Sequence, residues 1–192
     1  MTSATMVTSA SATASSSTAV TSTPTESSST ESSSPTSSPA GTVLSGAIIG
    51  AADDADKNGS GNSRGQAIAG ITAEPFTGFD RITITFSGTG MPSYHVGYQD
   101  TPAQQGTNTP ILTGGDAFLV AYFANIASAE EAGIADPELG QFTAGQPHVS
   151  QILSGSTVDG LGQVIVGVTG GKLPYAVGTL ENPPRLVIDV AV

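Results

Sequence analysis

The sequence predicts an all-β domain, a sandwich or barrel of about eight short strands behind a disordered arm. Three observations predict it. Arg81-Ile82-Thr83-Ile84-Thr85-Phe86 alternates strictly, with Ile82, Ile84 and Phe86 on one face and Arg81, Thr83 and Thr85 on the other. Similar short apolar runs recur along the chain with turn residues between them, in a sequence holding 24 glycines and 12 prolines. No helical periodicity of useful length competes, since the best stretch, 128–135, covers one or two turns and is closed by Pro137.

The elements follow in order. A run at 67–72 precedes the 81–86 strand, and Tyr94-His95-Val96-Gly97-Tyr98 follows it, with His95 facing away from the two tyrosines. Ala117 to Phe123 (AFLVAYF) is apolar on both faces, which predicts a central strand, and Gly114-Gly115-Asp116 supplies the turn before it. Further strands are expected at 148–153, 163–168, 174–180 and 185–190. Pro183 and Pro184 donate no backbone hydrogen bond and hold the chain extended, so they suit the start of the last strand; Leu186, Ile188 and Val190 then face the core, and Arg185, Val187 and Asp189 the opposite side.

Upstream of the strands the composition changes. Of the first 40 residues 25 are Ser or Thr, with Pro24, Pro35 and Pro39 among them. Such a segment has almost no apolar surface to offset the cost of about 1–2 kcal/mol per residue for fixing the backbone. The expected organisation is a disordered Ser/Thr/Pro-rich tether over 1–45, a Gly/Asp-rich linker over 46–65 and the β domain over 66–192.

Charge and residue usage exclude several functions. The net charge is −11, from 16 acidic and 5 basic residues, and only Glu26 and Glu31 of those charges fall in the first 40. Five scattered basic residues offer no patch for nucleic acid or for anionic lipid. The absence of cysteine removes disulfide frameworks, thiolate zinc sites and thiol nucleophiles. No basic region followed by an apolar core stands after Met1, and the apolar-leaning GTVLSGAIIGAA at 41–52 is shorter than the roughly 20 residues a membrane helix needs. An arm of this composition is typical of a spacer holding a domain away from a surface, so an export signal or lipid anchor is expected upstream of it.

Two segments carry a family resemblance. Gly78-Phe79-Asp80-Arg81-Ile82-Thr83-Ile84-Thr85-Phe86-Ser87-Gly88 and Leu180-Glu181-Asn182-Pro183-Pro184-Arg185-Leu186-Val187-Ile188-Asp189-Val190 resemble the opening and closing strands of the AMIN-like domain of actinobacterial secreted proteins and lipoproteins. Met91-Pro92-Ser93-Tyr94 is also similar to that family. The resemblance implies a β-sandwich that is a non-catalytic, exported module of the cell envelope, binding or localising to a wall polymer such as peptidoglycan or to envelope proteins, without a cofactor. Arg81, Arg185 and Asp189 fall in the two motifs. With Tyr94 or Tyr98 as a stacking platform they form the candidate binding set, while a cross-strand ion pair between an arginine and Asp189 is the structural alternative.

Other motifs suggest other chemistry. Asp54, Asp56, Asn58 and Gly59 fall at positions 1, 3, 5 and 6 of a calcium loop, which would make a calcium-dependent adhesion module. Position 12 is Gly65 rather than the bidentate Glu, and neither flank forms a helix. Gly61-Asn62-Ser63-Arg64-Gly65 fits G-x-S-x-G, which would make a small secreted hydrolase, but the required strand-to-helix turn is missing. The carboxylate pairs Asp53/Asp54 and Glu130/Glu131 diverge in direction and sit among polar residues, where charge is favoured over acid catalysis. His95 and His148 lack evident catalytic or metal partners in the sequence.

Overall fold

The computed structural model describes residues 48, 52–111, 114–135, 146–155 and 157–192. The tether and most of 46–51 lie outside these residues. Among the described residues nine strands are formed: β1 (Lys57–Gly59), β2 (Ile68–Phe76), β3 (Phe79–Phe86), β4 (Ser93–Gln99), β5 (Ala117–Ala124), β6 (Val149–Ser154), β7 (Leu161–Val168), β8 (Tyr175–Leu180) and β9 (Arg185–Ala191). They make two antiparallel sheets, ordered β1-β4-β5-β7-β6 and β2-β3-β9-β8. The expected all-β sandwich is the fold, and no helix occurs among the described residues.

Alternation decides what each sheet buries. Ile82, Ile84 and Phe86 of β3 and Leu186, Ile188 and Val190 of β9 are buried. They pack against Val96, Leu119, Ala121, Phe123, Val164 and Val166 from the other sheet, with Phe86 meeting Phe123 edge to face at 4.9 Å. β5 is the middle strand of its sheet, as its two apolar faces require. The opposite faces of β5 and β7 are covered as well, since Val120 and Ile165 are fully buried although they point away from the core. Part of that cover is the segment after β4. Gln163, outward on β7, donates to the Ala103 carbonyl at 3.0 Å, and Gly106 lies close against Val158.

Several boundaries differ from those the sequence predicts. β2 runs on through Glu74 and Pro75 to Phe76, beyond the expected stop at Thr72; it is an edge strand, where a missing N–H costs no ladder bond. Thr77 and Gly78, with Gly78 at φ 86°, close a tight hairpin from Phe76 to Phe79. The 128–135 stretch is a capped turn and not a helix. Ser128 N–H and Oγ–H both donate to the Glu131 carboxylate at 2.9 Å, and Glu131 N–H returns to Ser128 Oγ at 3.2 Å.

The largest difference concerns the linker. Lys57–Gly59, expected within a linker over 46–65, is the edge strand of the five-stranded sheet, in register with Val96, His95 and Tyr94, and Asp53 bridges to Tyr175. The glycines that suggested a loose connection are packing gaps. A Cβ on Gly59 would lie 2.1 Å from the Tyr94 ring, and one on Gly61 would lie 2.0 Å from the Met91 carbonyl oxygen. Ser93 Oγ ties the same point, accepting from Gly61 N–H and donating to its carbonyl, both at 3.0 Å.

On the outer face of the four-stranded sheet Arg81 stands directly opposite Asp189. The pair is bidentate, Arg81 Nε to Oδ1 at 2.7 Å and Nη2 to Oδ2 at 2.8 Å, with side chains 5% and 0% exposed. Phe76 and Phe79 stack parallel at 5.0 Å, and the guanidinium lies 5.2 Å from each ring centre. Ile48 N–H adds a third hydrogen bond to Asp189 Oδ2 at 2.7 Å. Asp189→Ala removes the carboxylate from a buried guanidinium and should lower stability by about 3–5 kcal/mol, whereas Arg81→Met combined with Asp189→Leu should lose much less. Chemical denaturation of the three proteins measures this; equal losses in the single and double variants would show that shape rather than charge pairing matters there.

Candidate functional site

The residues singled out by the sequence fall in two places. Arg81, Arg185 and Asp189 belong to the outer face of the four-stranded sheet, where Arg81 and Asp189 occupy one another and Arg185 opens β9 opposite Thr85. Tyr94 and Tyr98 belong to the five-stranded sheet and face inward, packed against the core. The five do not line one surface.

Tyr98 instead completes a buried tyrosine cluster. Its hydroxyl donates to the Leu173 carbonyl at 2.8 Å, and its ring meets Tyr175 edge to face at 5.6 Å. Tyr175, fully buried, places its hydroxyl 2.7 Å from the Ala55 carbonyl and 2.8 Å from that of Val96, its single hydrogen shared between them. This hydroxyl ties residues 53–57 to β4. Burial raises the pKa of both phenols, that of Tyr98 to about 12, with the Asp54 charge adding to the effect on Tyr98.

The calcium-loop residues do not converge on a cation. Asn58 lies in an extended edge strand, and its Oδ1 is 2.8 Å from His95 Nδ1. Asp56 lies over Gly97, with its Oδ2 3.7 Å from His95 Nε2. Asp54 is exposed, and no group of three or more metal-ligating side chains occurs among the described residues. Ser63 rests against Gly90, between β1 and β2, and not on a strand-to-helix turn. One carboxylate of each pair is tuned away from acid catalysis. Asp53 is lowered by hydrogen bonds from Lys57 and Ala55 N–H, and Glu131 by the bonds from Ser128.

A different arrangement emerges on the outer face of the five-stranded sheet. Asn58, His95, Tyr122 and Gln163 are cross-strand partners in succession on β1, β4, β5 and β7, so four side chains form one transverse row. Asn58 meets His95, His95 stacks on Tyr122 at 6.3 Å and 26°, and the Tyr122 hydroxyl accepts from Gln163 Nε2 at 3.3 Å while donating to Gln99 Oε1 at 3.2 Å. Tyr122 lines a hollow on each side of itself. The larger, about 370 Å³, is bounded by Gln99, Thr101, Gln104, Gln105 and Asn108. The smaller, about 210 Å³, lies among Ser93, Tyr94, His95 and Ala124.

Of this row, only the opposite facing of His95 and the tyrosines of β4 was legible in the sequence, and it is the tyrosines that turn inward. Tyr122 stands inside an apolar run and Gln163 at the start of another. Their alignment depends on strand register, which the sequence leaves open.

The family model for the AMIN-like domain matches residues 66–192, the whole run from β2 to β9. The chain belongs to the AMIN-like domain family. Comparison with curated proteins and with solved structures found no match. The AMIN-like domain is a non-catalytic, binding-type domain of cell-envelope proteins. Its match begins at Gln66, while the sandwich also takes in β1 and the Asp53 bridge ahead of it.

The tyrosine cluster makes a pH prediction. An unfolded phenol ionises near 10 and folded Tyr98 near 12, so its contribution to stability is complete below about pH 10 and is lost as pH rises towards about 12. Thermal melting followed by circular dichroism should show a plateau ending near pH 10, with a shallower alkaline decline in Tyr98→Phe. The same steep decline in that variant would mean that another group controls alkaline unfolding.

Proposed function

We propose that this AMIN-like domain is a non-catalytic module that holds its protein at the cell wall by binding a wall polymer such as peptidoglycan, and that the protein is exported. The observation that carries this reading is the Asn58–His95–Tyr122–Gln163 row. It is a band of hydrogen-bonding and aromatic groups across one sheet, flanked by two open hollows and held by a scaffold rather than by mobile side chains. Family membership supports the envelope setting. The Arg81–Asp189 face supports binding less well, because its charges are satisfied by each other, by the two phenylalanines and by Ile48.

Binding of this kind needs no carboxyl held protonated as a general acid, which agrees with the lowered carboxyls of Asp53 and Glu131. The acidic chain, at −11, favours polymer regions that are neutral or cationic over strongly anionic ones. Co-sedimentation of the full chain with purified insoluble cell walls should bring most of it into the pellet, with no turnover in a broad esterase and glycosidase screen. An empty pellet together with turnover would replace this reading with that of a secreted hydrolase.

A further inference from the structure

We propose that the larger hollow beside Tyr122 is a subsite for an uncharged glycan strand, with Tyr122 as the platform against which a sugar ring packs; this rests on the wall-binding reading above. The hollow measures about 370 Å³, within the range of small-ligand sites at about 300–1,000 Å³. Among the described residues no charged side chain lines it. Its polar groups are three glutamine amides, Asn108, Thr101 and the Tyr122 hydroxyl, each able to donate or accept without imposing a charge on the ligand. An anionic polymer would gain no ion pair here and would meet the repulsion of an acidic chain, and a cationic peptide would find no carboxylate in the lining.

A second observation concerns hydrogen bonding. Gln105 Oε1 is buried yet has no hydrogen-bond partner among the described residues. A buried acceptor left unpaired costs stability, and because Gln105 lines the hollow, turning its amide outward to meet a ligand donor would break no hydrogen bond at that oxygen. A sugar hydroxyl or an acetamido N–H is such a donor.

Orientation of the platform is built in. Gln163 is fully buried, and its two amide hydrogens are divided between the Ala103 carbonyl and the Tyr122 hydroxyl. One side chain thereby fixes both the segment that walls the hollow and the ring that floors it. Gln163 is a positioning residue, whereas Tyr122 and Gln105 would touch the ligand.

The test is calorimetric titration of the full chain with N-acetylated chitotetraose and, separately, with cellotetraose, using wild type, Tyr122→Ala, Gln105→Ala and, on the other sheet, Glu74→Gln. Circular dichroism melts of each protein confirm folding, and Gln105→Ala, in a loop outside the strands, serves if Tyr122→Ala is unstable. The expected result is binding of at least one of the two oligosaccharides by wild type and Glu74→Gln, weakened about tenfold or more by each of the other substitutions. Tighter binding of chitotetraose would identify the acetamido N–H as the donor to Gln105, and equal binding a hydroxyl. Oligosaccharide binding unchanged in both variants would overturn the site. Failure to bind either sugar, while the full chain still sediments with walls, would overturn the glycan assignment and leave the wall-binding reading intact. Loss of sedimentation as well would remove that reading too.

Discussion

The structure depends on a constraint set by β5. Its sequence, AFLVAYFA, is apolar on both faces, so the strand has to sit in the middle of a sheet and both of its faces have to be covered. The inward face is covered by the second sheet, through Phe123 against Phe86 and the Leu186–Val190 side of β9. The outward face cannot be left to water without exposing Val120 and its neighbour Ile165. The segment after β4 folds back over this face, and the peptide group it brings down at Ala103 is met by the Gln163 amide. The hollow beside Tyr122 is the rim of that cover. Burial of an apolar strand and creation of a polar, open hollow are thus two consequences of one sequence feature.

The other sheet solves a different problem. Its outer face carries a charge pair where β3 and β9 lie side by side, and Arg81 against Asp189 is possible in one register only, because a shift by one residue turns every side chain to the other face. Register and charge agree, since the same alignment places Ile82 opposite Ile188 in the core. Ile48 shows that the chain ahead of β1 also uses this face. Its N–H reaches Asp189, and its side chain fills the space over Gly178, where a Cβ would lie 2.7 Å from Ile48 Cδ1. Aspartate 189 is therefore satisfied from two directions, which is how a fully buried carboxylate remains compatible with stability.

Much of the fold was legible because alternation is a local signal. The facing of β3 and β9, the central place of β5 and the opposite facing of His95 and the tyrosines of β4 all follow from period two. What the sequence concealed was set by contacts between distant segments. Gly59 and Gly61 read as flexible, yet they are glycine because the Tyr94 ring and the Met91 carbonyl come too near for a side chain. The run at 67–72 read as the whole strand, yet β2 continues through Pro75 to Phe76, which its place at an edge permits. The candidate site was the least legible part, because Asn58, His95, Tyr122 and Gln163 are spread over more than 100 residues and become a row only through three pairings. Arg81 and Asp189, which drew attention by their motif, pair with each other across β3 and β9, and Arg185 opens the same strand as Asp189.

A ligand that meets the outer face of the five-stranded sheet leaves its footprint on the backbone there. Amide hydrogen exchange of the full chain, with and without soluble fragments of enzymatically digested cell wall, maps that face directly. Added protection is expected at 93–108 and in the neighbourhood of Tyr122 alone, with β3 and β9 unchanged. Protection centred on the Arg81–Asp189 side of the four-stranded sheet would contradict it.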